Sequence, residues 1–191
     1  MSQNGIRKLL HDNPVVPVVK ILTIEEVEPL ITALQNNNIN CIEITLRTDC
    51  ALDAIKLAKK CSNDNFSVGV GTVVNSKQLA EVVDAQVDFI VLPGLQKDLV
   101  SDLQGINIPF LPGVVTPSEM MEALRLGWDT LKFFPANIAG GLGALKTYGQ
   151  VFSQIKFCPT GGITKENYPE YLNLENVISV GGSWIQKDLN L

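Results

Sequence analysis

Eight short apolar runs, alternating with longer stretches of helical spacing, predict a parallel α/β fold closed into a compact (β/α)8 barrel of the TIM type. The runs recur at intervals of roughly 20 to 25 residues, the rhythm of successive strand–helix units. Glycine-rich turns follow the last two runs, where barrels commonly bind phosphate. An open doubly wound sheet would instead carry them after its first strand, and the first turn here, Lys20-Ile21-Leu22-Thr23, has no glycine. At 191 residues the chain suits one domain spanning 1–191 and is too short for two ordinary ones.

The predicted strands are 15–21, 41–46, 67–73, 89–93, 110–115, 130–135, 155–158 and 177–180. They are rich in Val, Ile, Leu and Phe without strict polar alternation, as strands covered on both faces read. A helical stretch at 3–11 precedes them and is expected to cap the N-terminal mouth of the barrel. Helical spacing follows at 24–34, 50–61, 76–85 and 117–126. Thr23, Asp49, Asn75, Thr116 and Thr164 stand as capping residues before helical patterns, and Pro117 takes a first helical position. Asn36-Asn37-Asn38 reads as a polar loop ending a helix. Tyr148, Tyr168 and Tyr171 read as packing residues in helical segments, and Gly140-Gly141-Leu142-Gly143 as a flexible loop behind the sixth run. After the eighth run, 184–191 supply about two helical turns, so the closing helix is expected to be short.

Composition narrows the function classes. The apolar fraction of 46% is high and the charged fraction of 18% low, which suits strands buried on both faces. A net charge of −5 and a pI near 4.9 argue against a nucleic-acid surface. No apolar stretch is long enough to span a bilayer, and the first dozen residues lack the apolar core of a signal peptide, so a cytoplasmic location is expected. Cys41, Cys50, Cys61 and Cys158 form no C-x-x-C pair. His11 is the one histidine, which removes Ser-His and Cys-His arrangements and multi-histidine metal sites.

The informative charge is Lys132, inside the apolar run Leu131-Lys132-Phe133-Phe134-Pro135-Ala136. Taking an ammonium out of water disfavours its charged form, and a neutral amine is a nucleophile toward carbonyl carbon. The plainer alternative is a stem lying along the strand with its ammonium snorkelling to solvent. On the second strand, Glu43, Thr45 and Arg47 alternate onto one face. A Glu43–Arg47 ion pair would be a purely structural use of that face. Even-numbered barrel strands contribute to the same interior layers, so Lys132 on the sixth and Glu43 on the second can meet. Such a pair suits imine catalysis: the amine attacks a ketone and the carboxylate moves protons, while an arginine fork holds a substrate carboxylate.

Two double-glycine turns, Thr160-Gly161-Gly162-Ile163-Thr164 and Gly181-Gly182-Ser183, complete the constellation. They let backbone N–H groups approach an anion, with a following helix N-terminus adding a favourable dipole, or they serve only as tight strand-to-helix turns.

The segments Pro14-Val15-Val16-Pro17-Val18, Ile42-Glu43-Ile44-Thr45-Leu46-Arg47-Thr48, Val70-Gly71-Thr72-Val73, Leu92-Pro93-Gly94, Leu131-Lys132-Phe133-Phe134-Pro135-Ala136, Cys158-Pro159-Thr160-Gly161-Gly162-Ile163 and Gly181-Gly182-Ser183-Trp184 occur in that order. Together they resemble the bacterial 2-keto-3-deoxy-6-phosphogluconate (KDPG) aldolases, a family that includes 4-hydroxy-2-oxoglutarate (KHG) aldolases. The resemblance spans Pro14 to Trp184. It implies Lys132 as the Schiff-base lysine and Glu43 as the general acid/base, acting partly through a bound water. It implies Arg47 and Thr72 around the pyruvyl carboxylate, and Pro93, Phe134 and Thr160 along the pocket. Gly161, Gly162, Gly181, Gly182 and Ser183 would hold the phosphate. The implied reaction splits KDPG into pyruvate and glyceraldehyde 3-phosphate, as in the Entner-Doudoroff pathway, in a homotrimer needing no metal or other cofactor. Many members have an acidic residue where this chain has Asn137, and a longer closing helix. Main activity on KHG, and a non-catalytic phosphosugar-binding barrel, are the alternatives; a metal-dependent epimerase or synthase would want histidines that His11 alone cannot supply.

Overall fold

The computed structural model describes residues 2–189. The strands are β1 (Val15–Val19), β2 (Cys41–Thr45), β3 (Ser67–Gly71), β4 (Phe89–Val91), β5 (Phe110–Leu111), β6 (Gly113–Val114), β7 (Thr130–Phe133), β8 (Lys156–Pro159) and β9 (Val180–Gly182). The helices are α1 (Ser2–Asp12), α2 (Val27–Asn36), α3 (Ala51–Cys61), α4 (Ser76–Asp84), α5 (Lys97–Gly105), α6 (Pro117–Arg125), α7 (Gly141–Val151), α8 (Tyr168–Leu172) and α9 (Trp184–Asp188). Among the described residues, no helix is long and apolar enough to cross a membrane.

In place of one eight-stranded sheet there are two parallel sheets, ordered β5-β4-β3-β2-β1-β9 and β6-β7-β8. The expected fifth strand is divided at Pro112, which has no N–H to give to a ladder. Its first half pairs with β4 and its second with β7, while Pro112 still accepts a bond from Lys132 N at 2.9 Å. The expected eighth strand, 177–180, begins later: Val177 makes only an isolated bridge to Phe157, and the ladder to β1 starts at Val180. A second bridge, Thr160 to Gly181, joins the ends of β8 and β9.

Helix starts agree with capping chemistry in two places and depart from it in three. Asn75 accepts from Gln78 N at 2.9 Å, and Thr116 forms a reciprocal capping box with Glu119. Thr23 instead precedes a 3-10 turn at Ile24–Glu26, Cys50 rather than Asp49 stands at the N-cap of α3, and Thr164 closes a turn with Asn167 before α8 begins. The expected glycine loop is also corrected: Gly140 is the N-cap of α7 and Gly141 its first residue. Asn36 ends α2 as expected, and Asn38 takes a left-handed conformation at φ 57°. The closing helix is α9; the remainder of its expected range, 190–191, lies outside the described residues.

Strand alternation divides the interior in two. Ile42, Ile44, Leu131 and Phe133 face the helices and belong to the main apolar core. On the opposite faces a smaller core joins Val16, Cys41, Phe89, Leu111 and Cys158, from strands of both sheets, to Ile6 and Leu10 of α1. Arg7 ties α1 to the start of β7 through Thr130 Oγ1 and the Asp129 carbonyl, both at 3.0 Å.

In the α6 capping box, partial burial opposes ionisation of Glu119. Hydrogen bonds from Thr116 N and Val115 N, at 2.7 and 2.8 Å, outweigh it and hold the carboxyl below its usual range. A lowered native value stabilises the fold fully above the ordinary glutamate range and is lost as pH falls through the lowered value. Glu119→Ala is expected to cost about 1 kcal/mol in urea unfolding at pH 7. The difference from the parent should shrink in acid; a gap independent of pH would contradict the assignment.

Candidate active site

Glu43 and Lys132 project from β2 and β7 to the side away from the helices, and they meet there. Lys132 Nζ donates to Glu43 Oε1 at 3.3 Å, with the residues 5% and 3% exposed. The amine therefore does not snorkel to solvent. Nor does Glu43 pair with Arg47: β2 ends at Thr45, and Arg47 N turns back to the Thr45 carbonyl at 2.8 Å, leaving Arg47 exposed. Thr45 is buried and donates to Val19 O at 2.9 Å.

Cys158 is the register partner of Lys132. Burial pushes the Cys158 and Cys41 thiols up to about 12, so both are neutral walls rather than competing nucleophiles. Phe134, whose ring centroid lies 5.1 Å from Lys132 Nζ, leads from the buried pair into a cavity of about 330 Å³.

The cavity brings together Arg47, Phe134 and Thr160 with both glycine turns, Gly161-Gly162 and Gly181-Gly182-Ser183. Gly161 and Gly162 have φ of 98° and 72°, conformations that favour glycine and turn the backbone toward the opening. The expected helix N-terminus is not at the first turn, because α8 begins only at Tyr168, and α9 has five residues. Thr72 and Pro93 do not line this cavity. Thr72 follows β3 in a strained left-handed conformation, φ 67°, and Pro93 borders a separate cleft with Val73 and Val74. Among the described residues, no group of three or more His, Cys, Asp or Glu is arranged to hold a metal ion.

The KDPG and KHG aldolase family model matches residues 6–190. The KHG/KDPG aldolase of Escherichia coli K12 is 43% identical over 183 residues, 96% of this chain and 85% of that one. A solved KDPG aldolase from Legionella pneumophila, with pyruvate captured as a covalent carbinolamine, superposes with a TM-score of 0.92. It is 43% identical and covers 98% of this chain and 91% of its own. The KDPG aldolase of Zymomonas mobilis with 3-phosphoglycerate gives the same TM-score and identity, with coverages of 96% and 87%. The chain belongs to the KDPG and KHG aldolase family. It is an aldolase, a carbon–carbon lyase.

Three polar cavity residues of this aldolase carry no role in the sequence analysis: Lys20, Gln186 and Lys187. Lys20 had a signal, since it is a charge at the C-terminal end of the first strand, where barrel sites lie. Gln186 and Lys187 sit in the short closing helix and had none. Gly71, in the segment Val70-Gly71-Thr72-Val73, has a role that spacing alone does not show. A Cβ there would overlap Glu43 Oε1, so its lack of a side chain makes the space the carboxylate occupies. Gly71→Ala is expected to displace Glu43 and to cost roughly 1–3 kcal/mol in urea unfolding. Full stability with the Lys132–Glu43 contact retained in a crystal structure would contradict this account.

Proposed function

We propose that this chain cleaves KDPG to pyruvate and glyceraldehyde 3-phosphate through a Schiff base on Lys132. The observation that carries the reading is the buried 3.3 Å contact between Lys132 Nζ and Glu43 Oε1 beside an open cavity. The amine adds to the C2 ketone to give a carbinolamine, and loss of water gives an imine. A base then takes the proton of the C4 hydroxyl, the C3–C4 bond breaks, and its electron pair passes into the iminium as an enamine. Protonation at C3 and hydrolysis release pyruvate and restore the amine. Glu43, within hydrogen-bond reach of Nζ, is the group placed to move these protons, directly or through water. The carbinolamine held by the Legionella relative supports the covalent step for this family.

In this proposal Arg47 and Thr72 flank the pyruvyl carboxylate, Pro93, packed against Gly113 at the register position of Lys132, walls the pocket beside the buried pair, and Phe134 and Thr160 line the path outward. Gly161, Gly162, Gly181, Gly182 and Ser183 receive the phosphate. The positive φ of Gly161 and Gly162, in a turn that shares its cavity with Arg47, supports the distal part. The same proposal includes one domain over 1–191, closure as a (β/α)8 barrel with α1 as its cap, a homotrimer, and a cytoplasmic location. The division of one run into β5 and β6, each pairing outward, and the bridge from Thr160 to Gly181 support closure. KHG is the second substrate to test, because the Escherichia coli relative is named for both activities.

Borohydride with pyruvate is expected to leave one pyruvate-derived group on the peptide carrying Lys132, and none in Lys132→Ala. Glu43→Gln should lower kcat by roughly 100-fold or more, the scale of a lost general acid/base. Labelling of Lys132→Ala, or phosphate-ester binding without turnover or trapping in the parent, would reject the aldol reading. Steady-state rates on KDPG and KHG decide between the two substrates.

A further inference from the structure

The cavity holds more positive charge than a 2-keto acid requires. Lys20, Arg47 and Lys187 line it, and no aspartate or glutamate does. None of the three forms an ion pair among the described residues, and two acids close to them in the fold are engaged elsewhere. Asp188, next to Lys187, lies 2.9 Å from Lys165, and Glu43 holds Lys132. In the proposed reaction one cation, Arg47, faces the pyruvyl carboxylate. Lys187 is on α9, which directly follows the Gly181-Gly182-Ser183 turn and shares the cavity with Gly161 and Gly162. Lys20 follows β1, the strand paired with β9 through Pro17 and Gly182, so it comes from the element beside that turn.

We infer that Lys187 is a specificity-determining residue that favours a substrate ending in a phosphate dianion over one ending in a carboxylate. This rests on the aldolase reading and deepens it. Backbone N–H groups of the glycine turns are neutral donors that suit either oxyanion. A lysine ammonium is a point charge on a flexible stem, and its attraction scales with the charge it meets. It therefore rewards a dianion most, and it does so before and after bond cleavage alike, which is binding expressed in KM.

The test compares the parent with Lys187→Ala and Lys187→Arg on KDPG and KHG. Lys187→Ala is expected to lower kcat/KM for KDPG by roughly five- to tenfold, the scale of an exposed to half-exposed charge pair, chiefly through KM. The loss with KHG should be clearly smaller, and Lys187→Arg should restore most of the KDPG value. Calorimetry with inorganic phosphate should show weaker binding to Lys187→Ala than to the parent, with circular dichroism unchanged. Equal losses on both substrates, or unchanged phosphate affinity, would overturn the inference while leaving the aldolase reading intact. A parent that binds phosphate through Lys187 but neither cleaves these substrates nor traps pyruvate would overturn the specificity role together with the aldolase reading.

Discussion

Everything at the candidate site depends on keeping Lys132 and Glu43 together out of water. A buried ion pair returns little net stability, because desolvation of two charged groups offsets their attraction, yet removing one partner leaves the other stranded at a cost of about 3–5 kcal/mol. The contact is therefore a commitment that the surrounding structure must support rather than a source of stability. Support comes from Gly71, which leaves room for the carboxylate, and from the neutral thiol of Cys158 at Lys132's own register position. Every fully buried side-chain nitrogen and oxygen among the described residues has a hydrogen-bond partner, so the pair sits in an interior with no competing polar debt.

Stability is carried by a different set of residues. The main core lies between strands and helices and takes every second strand residue, such as Ile42, Ile44, Leu131 and Phe133. Their neighbours Glu43 and Lys132 face the other way. Because the side-chain period of a strand is two, a single chain segment can serve packing and chemistry without compromise between them. The smaller core under α1 fills the same inner space below the pair, and Arg7 fixes that helix to Thr130, one alternation before Lys132.

Much of this was legible because alternation and capping are local signals. The parallel α/β rhythm, the Asn75 and Thr116 caps, and the meeting of Lys132 with Glu43 follow from spacing and from the expense of a buried charge. What was not legible depended on events between segments. Pro112 divides a run that reads as continuous, because the missing N–H matters only once its two neighbours are known. Arg47 leaves the face of Glu43 because β2 stops at Thr45, which periodicity does not encode. Gly141 starts a helix although glycine is a poor helix former, since Ala144, Leu145 and Tyr148 pack the rest of α7 against the core. Lys187 was invisible for a similar reason: in a short helix, spacing does not say which side faces the cavity.

Charge is graded along the cavity in a way that follows from these placements. Behind Phe134, the ion pair of Lys132 and Glu43 is self-balancing in a setting where an unmatched charge would be expensive. Toward solvent, Lys20, Arg47 and Lys187 carry unbalanced positive charge, which is inexpensive there because water and salt screen it. In the proposed reaction, a charge-balanced pair beneath a cationic rim would draw an anionic substrate inward. Its ketone can then reach the least hydrated point while its charged ends stay in the region that tolerates them. The chain as a whole is acidic, at −5, so the rim is a local reversal of the protein's field rather than a consequence of its composition. That reversal requires lysines on separate elements, one after β1 and one on α9, and the pairing of β1 with β9 brings those elements side by side.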